Sequence, residues 1–457
     1  MKRLHLILAA TWLLSSSAPA ALADSPSAPP DSIDAAVDAL FRPEGLTAAA
    51  AATRARAVSP EVRRRAADVA QANAAATKVQ LVNVPRLAGT LQYTRLSSID
   101  PPVLGGGFTF PVFLNAYSAS AEIAVPLSDY VLRIPDLVAS ARQALVSARA
   151  SQDSTAVSVA SAARVAYYEW VRARLQQVVA ERSVTQVEAT LGQVRALVEV
   201  QRASRADQLR VEAQLAQAKQ AAAQLGGVVD VRGEVLRLAI GAAAEEELVI
   251  GEDLRQAPAV PAAQTVAALT ELALKRRPEL RTFEAGIRAK ELQRNAERNV
   301  LPRLAAFGQV NYANPNQRIV PSQDRFDLTW AVGLSLTWSL NDVLSSRVSA
   351  DGLDAEVRGL LADRDRLIEG IRVEVVQAAS NLQIAQRSID TTAQGLAAAE
   401  ESYRVRRELM ALERATAVEV VDAEAEVTRA RIAALSARVD LRIALVQLER
   451  ATGADAP

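Results

Sequence analysis

Leu301–Asp342 reads LPRLAAFGQVNYANPNQRIVPSQDRFDLTWAVGLSLTWSLND, and its pattern decides the architecture of the chain. In its second half Leu328, Trp330, Val332, Leu334, Leu336 and Trp338 alternate with Thr329, Ala331, Gly333, Ser335 and Thr337. A period of two marks a strand with one apolar face and one small, mostly polar face. In the first half Leu304, Ala306, Val310 and Tyr312 share a face opposite Arg303, Gln309 and Asn311. A polar loop joins the two runs into a strand pair. Long alanine-rich segments of helical period lie on both sides.

The 457-residue chain carries 52 basic and 52 acidic residues, so no nucleic-acid partner is expected. It has no cysteine, and its one histidine is His5. Zinc and copper sites, thiol nucleophiles and imidazole triads are therefore disfavoured, and no cofactor, metal or catalytic residue is expected. Met1–Ala23 reads as a secretory signal: Lys2 and Arg3, an apolar Leu6–Leu14, then Ala21-Leu22-Ala23. That apolar run is far short of the roughly 20 residues of a spanning helix. No later run is longer, so export without a spanning helix is expected.

Residues 24–58 read as a lead, with Pro/Ser-rich Ser25–Pro30 and a short helix at Ser32–Phe41. Ser59-Pro60-Glu61 opens a helix, with Ser59 as N-cap. Arg86–Leu96 and Tyr117–Leu127 read as strands. The loop between them holds Gly105-Gly106-Gly107, which lacks the lysine, hydroxyl and following helix of a phosphate cradle. Helices are expected from Pro135 to about Val200 and from about Ala206 to Ile240. A linker, 242–265, marks the midpoint.

The second half repeats the first. Arg277-Pro278-Glu279-Leu280 opens a helix as Pro60-Glu61-Val62 does, and this helix start accounts for Arg277 and Glu279. Leu301-Pro302-Arg303-Leu304 echoes Val84-Pro85-Arg86-Leu87. Ala415-Thr416-Ala417-Val418-Glu419 echoes Ala203-Ser204-Arg205-Ala206-Asp207, and Thr452-Gly453 echoes Ile240-Gly241. The offsets lie close to about 215 residues, which reads as a tandem duplication of helix, strand pair and long helix hairpin. The expected division is a signal at 1–23, the lead at 24–58, repeat 1 at 59–241, the linker at 242–265, repeat 2 at 266–453 and a tail at 454–457. In repeat 2 the strands are placed at 303–313 and 327–338.

The long helices keep a seven-residue rhythm. Ile371, Val375, Ala378, Leu382, Ala385 and Ile389 step by four and three, as do Val420, Ala423, Val427, Ala430, Ala434 and Ala437. Such a seam implies coiled-coil packing, and alanine lets the axes approach closely. Helices of about 65–70 residues span roughly 100 Å.

Four strands with an apolar face cannot stand alone in a bilayer, because open edges leave amides unpaired in hydrocarbon. Closed barrels need at least about eight strands. Three copies of this chain would supply twelve. Tyr117, Ile123, Leu328, Trp330, Val332, Leu334, Leu336 and Trp338 are then expected to face lipid, with Trp330 and Trp338 as interfacial anchors.

The duplication, the Arg277–Leu280 and Leu301–Leu304 motifs, the strand-to-helix junction ending at Asp342, Tyr403–Glu424 and Thr452-Gly453 together resemble the TolC-like outer-membrane efflux proteins. The resemblance covers essentially the whole mature length. It implies an α + β membrane protein, a homotrimer whose 12-stranded β-barrel, four strands per chain, continues into a long α-helical coiled-coil barrel. It further implies a cell outer membrane location with the helices in the periplasm, and contact with outer-membrane lipid. A periplasmic adaptor and an inner-membrane pump of RND or ABC type would be its partners. The function implied is a passive exit duct of a tripartite efflux or type I secretion system, not an enzyme.

The resemblance also implies two sets of tip residues. Arg202, Ala203, Ser204, Arg205, Arg414, Ala415 and Thr416 occupy the two helix-to-helix turns, where such proteins meet adaptors. Glu419 and Asp422, three apart on one helical face, match acidic positions that ring the narrowed pore entrance. Three copies would place six carboxylates there, attracting cations. Where the family often has an aromatic and a glycine leading into this turn, the chain has Met410 and Glu413. Two other readings compete. A structural periplasmic coiled-coil protein accounts for the seams but not for the strand pairs, and an exported hydrolase using paired carboxylates has no supporting spacing.

Overall fold

A computed structural model describes residues 36–37, 39–98, 103–104, 108–109, 111–253, 256, 258–260, 264–412 and 414–454. The signal, the Ser25–Pro30 lead, Gly105–Gly107 and Glu413 lie outside the described residues.

The chain starts with β1 (Phe41–Leu46), α1 (Ala48–Val58) and α2 (Pro60–Gln80). Then come β2 (Arg86–Arg95), β3 (Asn115–Val125), a short α3 (Leu127–Leu132) and the hairpin of α4 (Ile134–Glu199) and α5 (Arg205–Ile240). The second half is α6 (Val266–Arg276), α7 (Pro278–Arg298), β4 (Arg303–Asn314), β5 (Asp327–Thr337), α8 (Leu340–Ala411) and α9 (Ala417–Thr452). Two two-residue strands, Val103–Leu104 and Phe108–Thr109, pair in the loop between β2 and β3.

The expected strand at Tyr117–Leu127 is corrected at both ends. It begins at Asn115 and stops at Val125, because Pro126 has no amide to donate to a ladder and opens α3 instead. Of the expected helix at Ser32–Phe41, residues 32–35 and 38 lie outside the described residues, 36–37 are helical and 39–40 form a turn. Phe41 opens β1, whose Phe41 and Leu46 bridge Ile250 of the linker.

The four long strands form one antiparallel sheet in the order β2-β3-β4-β5, half from each repeat. Its register aligns Leu87, Ile123, Gly308 and Val332 in one row. The row Leu91, Ala119, Tyr312 and Leu328 lies four residues further up. Apart from Phe307 of β4, the large apolar residues of all four strands thus share one face, where Trp330 is 69% exposed and Leu334 is 67% exposed. Strands of 11 residues tilted by about 45° rise about 26 Å, close to the height of a barrel's apolar band. An aromatic row closes the top of this face. Tyr93 and Tyr117 lie 5.1 Å apart, Tyr117 and Phe326 6.2 Å, and Tyr312 and Phe326 5.1 Å. Trp338 sits at the other end, just past β5.

Below the sheet α5, α4, α9 and α8 lie side by side in that order. The seven-residue seam is the buried one: Ile371, Val375 and Ala378 of α8 pack with Leu448 of α9, and Ala385 with Leu441 and Ala444. Midway along, the largest core joins Tyr167, Tyr168, Trp170 and Val171 of α4 to Ala48 and Ala51 of α1, Ile250, and Val439 of α9. Glu252 ties it together. Its carboxylate accepts from the Ala48 amide at 2.6 Å and from the Tyr168 hydroxyl at 3.1 Å. Arg442 donates to the Gln256 carbonyl at 2.6 Å, fixing the linker against α9.

The duplication is repeated in the caps. α5 and α9 both end on a left-handed glycine, Gly241 at φ 64° and Gly453 at φ 71°. Each abuts the junction of a helix pair: a Cβ on Gly241 would stand 2.8 Å from Val58, and one on Gly453 would stand 3.0 Å from Arg276. Arg277, 5% exposed, adds a tie that helix initiation alone does not describe, donating to Glu374 of α8 at 2.5 Å. No described helix is long and apolar enough to cross a membrane.

Candidate functional site

The ends of the two hairpins, farthest from the sheet, hold the residues singled out by the sequence. Each turn is built the same way. At the end of α4 the Arg202 amide donates to the Leu197 carbonyl at 2.8 Å, and at the end of α8 the Arg414 amide donates to Leu409 at 2.8 Å. Ser204 and Thr416 then cap the next helices with identical backbone angles, φ −81° and ψ 154°. Both close a capping box, Ser204 with Asp207 and Thr416 with Glu419, satisfying two otherwise orphaned amides.

The structure brings the two turns together. Val187, Leu191 and Val194 of α4, Val211 of α5, and Ala417 and Val421 of α9 form one core under both, with Met410 packed against it. Asp422 of α9 pairs with Arg210 of α5 at 3.6 Å, linking the hairpins across this core. Arg205 donates to Gln208 at 2.6 Å, and Gln208 and Arg195 both donate to Glu212. These bonds hold the Glu212 carboxyl below the usual carboxylate range. Arg414, Ala415 and Glu419 line a groove of about 470 Å³ with Glu401, Val405 and Arg406. Arg202, Ala203 and Thr416 stand at the turns themselves. Glu419 is spatially near Asp422, but its carboxylate is engaged by the Thr416 amide at 3.1 Å.

One residue here escaped the sequence reading. Glu424 is 2% exposed, and neither carboxylate oxygen has a hydrogen-bond partner. Burial pushes its carboxyl up to about 7, opposed by the Arg431 charge. The signal lay in its neighbours. Glu424 is four residues after Val420 and three before Val427, an acid set into the apolar seam.

On the sheet, the eight residues expected to face lipid all fall on the apolar face or, for Trp338, directly beyond it.

Residues 269–454 match the family model described as outer membrane efflux protein. A search of curated proteins finds no match. Among solved structures the chain is similar to CusC, studied for its folding and transmembrane channel formation, at 15% identity with a TM-score of 0.75, covering 91% of this chain and 93% of that one. It is similar to the outer-membrane channel OprN at 19% identity with a TM-score of 0.74, covering 91% and 94%. The open state of the Neisseria gonorrhoeae MtrE outer membrane channel matches at 19% identity with a TM-score of 0.74, covering 89% and 88%. Residues 269–454 thus match the outer membrane efflux protein model, and over about nine tenths of its length the chain has the fold of solved outer-membrane channels.

Proposed function

We propose that three copies of this chain form a passive exit duct through the outer membrane and periplasm, serving a tripartite efflux or type I secretion system. The chain is not an enzyme. The observation that carries the reading is the sheet: its apolar face is exposed on all four strands, and β2 and β5 leave both edges unpaired. An open edge in hydrocarbon costs several kcal/mol per unpaired group, so the sheet is stable there only when closed by further copies. Exposed Leu81 and Val84 below β2, and Leu340 and Leu344 below β5, extend the same two edges toward the helices. A twelve-stranded barrel of three chains closes them all.

In this reading the helices prolong the barrel through the periplasm, and energy comes from an inner-membrane pump of RND or ABC type through a periplasmic adaptor. The adaptor meets the turns at Arg202, Ala203, Ser204, Arg205, Arg414, Ala415 and Thr416. Glu419 and Asp422 ring the entrance, favouring cations. A purely structural coiled-coil role leaves the apolar sheet face without a use.

The test of the partner is a crosslink from a cysteine introduced at Arg414, in a chain that has no cysteine of its own. Capture of a periplasmic adaptor together with an inner-membrane pump is the expected result. A tip that crosslinks only to other copies of this chain counts against the tripartite role.

A further inference from the structure

The face of the sheet opposite the lipid face carries small or polar side chains in all four strands, with one exception. The register puts Arg86, Ala124, Phe307 and Gly333 in a single row on this inner face. Phe307 is the one large apolar side chain there among the described residues; its neighbours along β4 on the same face are Ala305 and Gln309. Its ring lies over the cross-strand Gly333. A Cβ at Gly333 would stand 2.9 Å from the Phe307 Cζ and 3.0 Å from Cε1. The missing side chain at 333 therefore leaves room for the end of the ring, which lies half-buried against the wall. Arg86, exposed, stands in the same row two strands away, about 10 Å by strand spacing. Arg303, exposed on the same face of β4, adds a second cation per chain, against the two acids Glu122 and Asp327, the latter at the far end of β5 and paired with Arg325.

We infer that Phe307 and Arg86 form a contact for flat aromatic anions inside the barrel, three at one height in the trimer. The inference rests on the duct reading, since that reading makes this face a lumen. A planar solute stacks on the phenyl face while its negative group meets the guanidinium, and among the described residues the inner face of the sheet carries no other aromatic side chain. A ring laid over a cross-strand glycine also shields the sheet backbone, but that role alone makes no distinction between solutes.

The test is block of open-channel current in planar bilayers by 1-naphthalenesulfonate, with methanesulfonate as an anion lacking the ring. Wild-type protein is expected to be blocked by naphthalenesulfonate at concentrations roughly fivefold lower than Phe307→Ala, with no difference for methanesulfonate. Phe307→Leu keeps an apolar side chain of similar bulk without a π face, and should behave like alanine. Phe307→Trp should retain block, and Arg86→Gln should weaken it. Equal block of wild type and Phe307→Leu by naphthalenesulfonate overturns the proposal. Absence of any wild-type conductance instead overturns the duct reading on which it rests.

Discussion

Thr416 and Glu419 hold each other at the hairpin tip. The Thr416 hydroxyl accepts from the Glu419 amide at 3.3 Å, and the Glu419 carboxylate accepts from the Thr416 amide at 3.1 Å. Charge and helix capping therefore coincide in one side chain, and they can be separated. Glutamine satisfies the same box, so Glu419→Gln should leave stability near wild type, whereas Glu419→Ala should cost about 1 kcal/mol in chemical denaturation. Combined with Asp422→Asn, Glu419→Gln should lower cation preference and block by trivalent cations in single-channel recordings. Unchanged selectivity in that double variant would remove the acidic ring from the account.

Glu424 should make stability depend on pH. Its folded carboxyl titrates near 7, above the ordinary value of 4.5. The folded state therefore holds a proton that the unfolded state releases, and stability falls as pH rises from about 4.5 to 7. The shift corresponds to about 3 kcal/mol per chain. The groups facing it are Tyr403 across on α8, with Arg407 over that ring, and Arg431 on its own helix. Glu424→Gln should flatten the dependence, raising the melting temperature above pH 7 more than at pH 5. Parallel melting curves for both proteins across this range would contradict the assignment.

The paired glycine caps predict a matched pair of losses. Gly241→Ala forces a Cβ into a left-handed turn and against Val58, so a cost of about 2 kcal/mol or more is expected. Trimming Val58 to alanine should recover the steric part but not the backbone part, giving a coupling of about 0.5–1 kcal/mol in a double-mutant cycle. Gly453→Ala should behave alike at the other end of the duplication.

Much of this was legible in the residues because the signals are periodic. Alternation at Leu328–Trp338 set the sheet faces, and the seven-residue steps through Ile371 and Val375 set the seam. What escaped depends on contacts between distant segments. The row of Tyr93, Tyr117, Tyr312 and Phe326 is assembled from four places, so Trp330 and Trp338 alone looked like the anchors. β1 exists through its bridges to Ile250, some 200 residues away in sequence, and α1 is too poor in large apolar residues to show a helical stripe. The pairing of Asp422 with Arg210 likewise needs the two hairpins side by side.

The two faces of β5 should tolerate charge unequally. Val332 is 73% exposed on the apolar face, and an arginine there should cost about 2–4 kcal/mol on folding into lipid vesicles. Ser335→Arg, on the opposite face, should fold with little loss. Equal costs would place both faces in the same surroundings.

The central claim is that the exposed sheet face becomes the lipid-facing wall of a closed barrel of three chains. Purified protein should have three times the chain mass in detergent, after correction for bound detergent by light scattering. The same fraction should give discrete conductance steps when added to a planar bilayer. A monomer that stays in buffer without detergent and conducts no current would contradict it.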